Sequence, residues 1–448
     1  MARQMTQITM EELVSLCKRR GFVFQSSEIY GGLSSAWDYG PMGVELKNNI
    51  RDFWWREMTQ YYDNIVGLDA AILMHPRVWE ASGHVESFTD PLVDCKGCKQ
   101  RFREDNVLEE NRVSRTCPEC GGELTEPRQF NLMFKTHIGP VEDAGSIVYL
   151  RPETAQGIYV NYKNVMQTSR LKIPFGIAQI GKAFRNEITT KNFIFRTCEF
   201  EQMEMQYFVK PGEDQKWFEY WKEQRWEFYR KIGIREKKMR YHQHGPDELA
   251  HYAKVAFDIQ YEFPFGWKEL EGIHNRTDYD LRRHTEYSGK DLSYLDDVTR
   301  ERYIPYIIET SAGLTRTVLT VLSDAWEEEK LEDGETRSVM HFHPEIAPIT
   351  VGVFPLVKKD GLPEIAKEIE QKLRVDFTTF YDQSGAIGRR YRRQDEIGTP
   401  YCVTVDYQTR EDRTVTIRFR DSMDQIRVRI EDIATRIKQE IATYRRVE

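Results

Sequence analysis

Four cysteines stand in two closely spaced pairs whose arrangement suits a metal ion. The first pair is Cys95 and Cys98, and eighteen residues separate it from the second pair, Cys117 and Cys120. Each C-x-x-C turn presents two thiolates, and two such turns complete a tetrahedron without an open position. The spacing therefore predicts a structural Zn²⁺ site. A knuckle that has lost its metal and a redox-active dithiol are the alternatives.

Three strings combine arginine with glutamate, and a fourth places a proline before a helix. They are RPETAQG (Arg151–Gly157), FRNEITTKNFIFRTCEFEQMEMQYF (Phe184–Phe208), ETSAGLTR (Glu309–Arg316) and WDYGPMGVELKNNI around Pro41. Each is weak evidence alone, because a surface arginine usually forms an ion pair that contributes less than about 1 kcal/mol. Their significance lies in their order along one chain.

Periodic patterns predict the elements that hold these strings. Met42–Gln60 has apolar residues at helical spacing after a Gly- and Pro-rich turn, which indicates an amphipathic helix. PFGIAQIGKAF and FEQMEMQYFV read as antiparallel strands, and Pro211–Gly233 reads as a helix with an aromatic stripe that we assign to the core. Pro305–Trp326 reads as a strand, a small-residue turn and a helix.

The chain changes character near Met340. Beyond it, strands and helices alternate over about 100 residues, which predicts a small α/β domain with a last helix near Ile430–Tyr444. We therefore predict a catalytic domain over 1–340 and a second domain over 341–448. Within the first we expect a zinc-ribbon insertion at about 91–127 and a helical insertion at about 211–262.

Composition excludes several classes of protein. Forty per cent of the 448 residues are hydrophobic, no long apolar run predicts a membrane span, and the charged N-terminus does not resemble a secretory signal. We thus expect a cytoplasmic protein. The net charge of −8 argues against non-specific coating of nucleic acid. However, Ala347–Glu448 carries 19 Lys and Arg against 17 Asp and Glu, so this part could contact a polyanion locally.

From about Gly21 onward the chain resembles the class II glycyl-tRNA synthetases. Pro41 before its helix, FRNE followed by FRTCEF, and ETSAGLTR occur in the order of the three class II motifs, and RPETAQG, FEQMEM and RRYRRQDEIGTPYCVTVDY are similar to the glycine-specific branch. The resemblance implies an α+β fold with an antiparallel sheet of six or seven strands, flanking helices, an inserted zinc ribbon and a C-terminal α/β anticodon-binding domain. Thr310 departs from the family, which has proline there.

The implied reaction joins glycine to tRNA(Gly) at the expense of ATP. A carboxylate attacks the α-phosphate of ATP, so two anions must meet, and arginine suits this because its planar fork binds both groups. By resemblance, Arg185 and Arg316 are the catalytic residues, Phe200 stacks on adenine, and Glu269 is a Mg²⁺ ligand. The implied ATP-binding residues are Arg185, Asn186, Glu187, Phe195, Arg196, Thr197, Cys198, Glu199, Phe200, Glu269, Leu270, Gly313, Leu314, Thr315 and Arg316.

Glycine offers an ammonium group and a carboxylate, so its pocket should be acidic at one end and closed at the α-carbon. By resemblance, Glu153, Glu204 and Glu309 surround the ammonium group and Ser311 crowds the α-carbon. The implied glycine-binding residues are Arg103, Glu153, Phe200, Glu201, Gln202, Met203, Glu204, Glu309, Thr310, Ser311, Ala312 and Gly313. Excluding a methyl group by a steric clash is easier than selecting one, so we expect no editing domain.

The tail segment GRRYRRQDEIGTPY packs four arginines around one tyrosine, a composition suited to single-stranded RNA. The predicted tRNA-binding residues are Arg389, Arg390, Tyr391, Arg392 and Arg393. A solvated segment whose arginines pair with Asp395 and Glu396 is the alternative. The resemblance also implies a symmetric homodimer formed around the Pro41 motif.

Three other functions compete with this interpretation. A class II enzyme for proline, serine or threonine is disfavoured by the three glutamates and RPETAQG. A non-catalytic accessory protein with the synthetase fold should lack the phosphate-binding arginines, whereas Arg185 and Arg316 are present. A zinc-ribbon nucleic-acid module leaves most of the chain unexplained.

Overall fold

The computed structural model describes residues 8–33, 35–104, 107, 116–190, 192–246, 248–250, 252–331 and 334–446. The α-helices of these residues are α1 (Met10–Arg20), α2 (Pro41–Arg56), α3 (Arg77–Ala81), α4 (His84–Ser87), α5 (Ala155–Thr168), α6 (Asp214–Lys231), α7 (Tyr279–Ser288), α8 (Leu314–Ala325), α9 (Leu362–Leu373), α10 (Ile387–Ile397), α11 (Tyr407–Asp412) and α12 (Ile433–Thr443). No helix in this part of the chain is both long and apolar enough to cross a membrane.

The strands are short except in the central sheet. In chain order they are β1 (Val23–Gln25), β2 (Trp37–Tyr39), β3 (Ile65–Gly67), β4 (Thr89–Asp94), β5 (Arg101–Arg103), β6 (Arg128–Asn131), β7 (Lys135–His137), β8 (Ile147–Tyr149), β9 (Phe175–Phe184), β10 (Glu199–Val209), β11 (Met239–Gln243), β12 (Val255–Phe263), β13 (Gly266–Thr277), β14 (Tyr294–Leu295), β15 (Arg302–Tyr303), β16 (Tyr306–Gly313), β17 (Trp326–Lys330), β18 (Thr336–Met340), β19 (Val351–Pro355), β20 (Thr379–Tyr381), β21 (Tyr401–Val405), β22 (Thr414–Phe419) and β23 (Gln425–Arg429).

A seven-stranded sheet forms the centre of the first domain, with the order β11-β12-β13-β16-β10-β9-β3. All neighbours are antiparallel except β3 and β9. The expected sheet of six or seven mainly antiparallel strands is therefore confirmed. The predicted helical insertion at 211–262 is helical only in its first part, because β11 and β12 belong to the central sheet.

α2, α6 and α8 pack on one face of this sheet. α5 and α7 cover the other face around Phe175 and Phe208, and the part of that face over β10, β13 and β16 is left open. α2 begins with Pro41 at its first turn, where the missing N–H costs nothing, and buries Leu46, Ile50 and Trp54. The aromatic stripe of α6 joins the same core, with Trp221 and Phe228 buried as predicted. α8 follows β16 without a break, since Gly313 is its N-cap.

The zinc-ribbon region is a small three-stranded sheet in the order β5-β4-β6. Cys95 and Cys98 occupy the turn between β4 and β5, and Cys117 and Cys120 lie in the second knuckle. Residues 105–106 and 108–115 of the predicted insertion lie outside the described residues.

The C-terminal domain is a five-stranded sheet in the order β20-β19-β21-β22-β23 with its own apolar core. β19 is parallel to β20 and β21, whereas β22 is antiparallel to both β21 and β23. This is the small α/β domain that the sequence predicts.

Buried ion pairs join the two domains along what we call the interdomain seam, built around Asp324, Arg337, Asp395 and Arg446. Asp324, at the end of α8, is bound by Arg235 at 3.2 Å and by Arg446 of the C-terminal tail. Asp395 on α10 pairs with Arg337 of β18 at 3.0 Å and with Arg418 of β22 at 2.8 Å. Arg392 lies 3.6 Å from Asp395 as a third cation, so each carboxylate of the seam meets at least two guanidinium groups.

Candidate active site

The open face of the central sheet carries a cavity of about 350 Å³ at the meeting point of β10, β13 and β16. Its lining combines carboxylates at one end with arginines at the other. The lining residues are Phe88, Asp90, Arg103, Leu132, Glu153, Arg185, Glu187, Ile194, Phe195, Arg196, Thr197, Phe200, Gln202, Glu204, Tyr252, Glu269, Gly272, His274, Arg276, Glu309, Ser311, Gly313, Thr315 and Arg316.

Strand alternation divides the predicted substrate residues between two faces. On β10, Phe200, Gln202 and Glu204 line the cavity, and β16 pairs Ser311 with Glu204. Successive side chains of a strand point to opposite faces. The predictions that Glu201, Met203, Thr310 and Ala312 contact glycine are therefore corrected. Glu201 pairs with Lys47 behind the sheet, whereas the other three side chains are buried there.

The three predicted glutamates converge at the acidic end. Glu204 accepts hydrogen bonds from Ser311 Oγ at 2.6 Å, from Gln202 Nε2 at 3.1 Å and from Thr154. Glu153 lies 3.5 Å from the His84 ring and accepts a hydrogen bond from Gln156 at 3.0 Å. Glu309 is bound by His274, Arg276 and Gln206.

These carboxyl groups do not share one electrostatic environment. Burial, together with the charges of Glu309 and Glu153, raises the pKa of Glu204 to about 7. Burial alone would raise the pKa of Glu309 as well, but Arg276 and His274 outweigh it and lower that pKa to about 2. The acidic end is therefore suited to receive a cation, and Glu204 is the group that the cation would most strongly affect.

Arginines occupy the other end of the cavity. Arg185 donates from Nε to the Pro152 carbonyl at 3.1 Å, and its guanidinium lies 5.3 Å from the ring centres of both Phe88 and Phe200. Arg316 lies 4.5 Å from the Phe195 ring centre and pairs with Glu269 at 3.1 Å. Planar cations held between aromatic rings provide a fixed anion-binding surface with no protein nucleophile.

Arg196 and Glu187 form a pair at the same end, with 3.3 Å between Nη1 and Oε2. Arg103 on β5 also lines the cavity and pairs with Asp90 of β4 at 3.0 Å. The ribbon thus contributes a cation to the site, because β5 directly follows the first zinc knuckle.

Several predicted ATP-binding residues do not present their side chains to this cavity. Leu270 and Leu314 are fully buried in the core, and the Glu199 side chain pairs with Lys182. Asn186 and Cys198 do not line the cavity among the described residues. Their backbone N–H groups donate to the carbonyls of Leu132 and Ser35. The prediction that these side chains contact ATP is therefore corrected to a supporting role.

The sulfur atoms of Cys95, Cys98, Cys117 and Cys120 all lie within 4.8 Å of one another. Two of the separations are 3.5 Å and 3.6 Å, close to the ~3.8 Å edge of a tetrahedron with four zinc–sulfur bonds of about 2.3 Å. A Cβ at Gly122 would lie 3.2 Å from two of the sulfurs, so a larger residue would crowd the cluster. The donor set fits Zn²⁺.

The predicted tRNA-binding residues all lie on α10 but differ in their exposure to solvent. Arg389 is exposed, and Arg392 and Arg393 are partly exposed. Arg390 is buried and donates to the carbonyls of Pro355 and Leu356, so the prediction that it contacts tRNA is corrected to a structural role. The Tyr391 hydroxyl shares a hydrogen bond with Thr404.

Sequence reasoning missed a second group of cavity residues, namely Tyr252, Gly272, His274 and Arg276. Three of them alternate along β13 within the string GIHNR. A two-residue period counted from Glu269 selects the opposite face, because a β-bulge shifts the register between Glu269 and Glu271. Tyr252 lies in an irregular segment before β12, where the sequence has no periodic signal.

Known proteins were compared with this chain. The model "tRNA synthetase class II core domain (G, H, P, S and T)" matches residues 134–325, and the model "Anticodon binding domain" matches residues 350–440. A glycine–tRNA ligase of Treponema denticola is 70% identical over 98% of this chain and 99% of its own length. The chain belongs to the glycine–tRNA ligase family.

Other relatives in the family agree with this assignment. A glycine–tRNA ligase of Borreliella burgdorferi is 60% identical over 98% of this chain and 99% of its own. Among solved structures, prolyl-tRNA synthetase of Cryptosporidium parvum, complexed with L-proline and AMP, superposes with a TM-score of 0.65 at 12% identity. That match covers 97% of this chain and 78% of the other, and it supports the class II fold alone.

Proposed function

We propose that this protein activates glycine with ATP and transfers it to tRNA(Gly). The observation that carries the proposal is the single cavity that joins Glu153, Glu204 and Glu309 at one end to Arg185 and Arg316 at the other. The first end matches an ammonium group and the second matches phosphates, so a glycine bound between them has its carboxylate directed toward the arginines.

In the first step, an oxygen of the glycine carboxylate attacks the α-phosphorus of ATP. A new P–O bond forms, the bond to the bridging oxygen breaks, and pyrophosphate leaves with the electron pair. Arg185 would bind the carboxylate and the α-phosphate together, and Arg316 would bind the outer phosphates. Arg103 and Arg196 add positive charge at the margin of the site.

In the second step, the terminal ribose hydroxyl of tRNA attacks the glycyl carbonyl, and AMP leaves. The attacking oxygen forms the ester bond, and its proton passes to the phosphate side or to solvent. The reaction requires no protein nucleophile, in agreement with the arginines and aromatic rings around the site.

Selection of glycine would depend on the wall at the α-carbon. Ser311 and Glu204 face each other across paired strands, and their 2.6 Å hydrogen bond closes that wall. A methyl group would have to displace them, so alanine should be activated far more slowly than glycine, without an editing site.

Two metal ions belong to the proposal. Zn²⁺ would be held by Cys95, Cys98, Cys117 and Cys120, which support β5 and therefore Arg103. Mg²⁺ would accompany ATP with Glu269 as a candidate ligand, because its half-exposed carboxylate lies at the phosphate end beside Arg316. Its pairing with Arg316 means that metal binding would have to compete with that arginine.

The C-terminal domain would bind the anticodon region of tRNA. Arg389, Arg392 and Arg393 offer positive charge on the accessible part of α10, and Tyr391 lies among them. We place the protein in the cytoplasm because its substrates are expected there, and cell fractionation would test that location.

A symmetric homodimer would form around the Pro41 motif. Ile29 and Tyr30, which precede this motif, are 88% and 87% exposed. Large apolar side chains this exposed are suited to contact with a second copy. Light scattering of the purified protein should give twice the chain mass, and Tyr30→Asp should lower it toward that of one chain.

The decisive experiment is ATP–pyrophosphate exchange with each of the twenty amino acids in the absence of tRNA. Exchange with glycine alone would support the proposed chemistry and the pocket together. Exchange with another amino acid would refute the assignment of the three glutamates. A folded protein that exchanges with none would favour a non-catalytic accessory protein with this fold.

A further inference from the structure

The three glutamates at the acidic end differ in what already balances their charge. Both oxygens of Glu309 are occupied: Oε1 accepts from Gln206 at 2.9 Å, and Oε2 accepts from His274 Nδ1 at 2.8 Å and from Arg276 at 3.2 Å. Glu309 is 3% exposed, so it depends on these donors and not on water.

Arg276 is itself fixed on every side. Its guanidinium binds both oxygens of Asp280, at 2.8 Å and 3.0 Å, and lies 3.8 Å from the ring centre of Tyr252. Gln156 donates to Asp280 and to Glu153, at 3.1 Å and 3.0 Å, so the network also orients Glu153. An arginine clamped in this way cannot turn toward a substrate carboxylate.

The His274 ring lies flat against β13 because Gly272 has no side chain. A Cβ on Gly272 would lie 2.7 Å from the ring, a distance that excludes any larger residue while the ring keeps this position. Nδ1 must carry the proton in the bond to Glu309, since a carboxylate only accepts. His274 therefore acts on Glu309 through a defined donor.

Glu204 stands apart from this network. Its partners are the hydroxyls of Ser311 and Thr154 and the amide of Gln202, all of them neutral. Among the residues that the structure describes, no Lys, Arg or His lies within ion-pair distance of Glu204. A buried carboxylate with only neutral donors is the position at which an arriving cation gains the most.

We propose that Arg276 and His274 are positioning residues that hold Glu309 as a fixed, already neutralised acceptor, and that Glu204, and not Glu309, supplies the charge that balances the substrate ammonium group. This inference rests on the proposed function and divides the roles within its pocket. It predicts that the glutamates are not interchangeable.

The first test compares Glu204→Gln with Glu309→Gln in glycine-dependent pyrophosphate exchange. Glu204→Gln should raise the KM for glycine about 100-fold or more, because the ammonium group loses a counter-charge that no protein cation already balances. Glu309→Gln should raise it about tenfold or less. The effect should be small because Arg276 and His274 already balance the charge that is lost. Burial lowers the pKa of His274, but its hydrogen bond to Glu309 outweighs burial and raises that pKa. Arg276, Asp258 and Glu269 are the other charged groups near that ring.

The second test is a double-mutant cycle with His274→Leu. Alone it should raise the KM for glycine about fivefold to tenfold through loss of one charged hydrogen bond, with the KM for ATP nearly unchanged. In the Glu309→Gln background it should have little further effect, whereas in the Glu204→Gln background the two effects should multiply. His274→Asn, which keeps a donor near Nδ1, should restore most of the affinity, and His137→Leu on exposed β7 is the matched control.

The outcomes are separable from those of the proposed function. A wild-type protein without glycine-dependent exchange would refute the proposed function itself. With wild-type exchange present, equal or reversed KM effects of Glu204→Gln and Glu309→Gln would overturn the inference. Additivity of His274→Leu with Glu309→Gln would also overturn it. If His274→Leu does not fold, the comparison of the two glutamine variants still decides the question.

Discussion

The interdomain seam and the acidic end of the cavity both bury carboxylates, but these carboxylates differ in whether a cation of the protein balances their charge. In the seam, Asp324 and Asp395 are fully buried and each is bound by at least two arginines. In the cavity, Glu204 is 2% exposed and has only neutral partners. A buried carboxylate that is paired with arginines holds secondary-structure elements together. A buried carboxylate that has no cationic partner in the protein instead favours binding of a cationic group from the substrate.

The largest effect is expected from breaking a matched carboxylate of the seam. Asp324→Asn would leave Arg235 and Arg446 facing an amide, so the free energy of unfolding should fall by about 3–5 kcal/mol. Exchange by the folded fraction should change little. Guanidinium denaturation measures the first quantity, and the exposed Asp52→Asn is the control. A loss below about 1 kcal/mol would show that the seam is not stabilised by these pairs.

Arg185→Ala should show the opposite pattern in the cavity. Glycine-dependent exchange should fall about 100- to 1,000-fold, because the α-phosphate loses its positioned cation. The unfolding transition should hardly move, since Arg185 has one backbone acceptor and two aromatic neighbours. Arg51→Ala, at an exposed position, should change neither quantity. An Arg185→Ala enzyme that retains most of its exchange rate would exclude the proposed role.

Glu204, which has no cationic partner in the protein, should also make the KM for glycine depend on pH. Because the pKa of Glu204 is raised to about 7, a proton occupies it below that pH and competes with the ammonium group. The KM for glycine should therefore rise as pH falls below about 7, by at most about tenfold per unit, and level off above it. The KM for ATP should not follow the same curve. Glu204→Gln should abolish the dependence, and a curve that persists in that variant would assign it to another group.

The smallest effect concerns α10, where the buried Arg390 lies beside the partly exposed Arg392 and Arg393, which pair with Asp395 at 3.6 Å and with Asp382 at 2.7 Å. Arg392→Ala combined with Arg393→Ala should raise the KM for tRNA about fivefold and leave pyrophosphate exchange unchanged. Arg390→Ala should instead lower the free energy of unfolding by about 1–3 kcal/mol, because it strands buried carbonyl acceptors. An unchanged KM for tRNA in the double variant would refute the proposed RNA contact.

Much of the site could be read from local patterns, because its residues lie in strings with narrow chemistry. The two C-x-x-C pairs could be recognised because each needs only a short turn to bring its cysteines together. Arg185, Glu204, Glu309 and Arg316 were also predicted, and all four line the cavity. Errors arose where whole strings were taken as binding segments. Met203 and Thr310 belong to those strings but point into the core, as the two-residue period of a strand requires.

By itself, the sequence determined the four-cysteine cluster, the family and the antiparallel strands, since each depends on residue type and short-range spacing. Only the tertiary structure decided which carboxylates meet which cations. Arg276 and Glu309 are separated by 33 residues, and Asp324 and Arg446 by 122. Their pairing depends on strand register and domain packing, which no local pattern encodes. The difference between a structural charge and a binding charge is therefore a property of the fold.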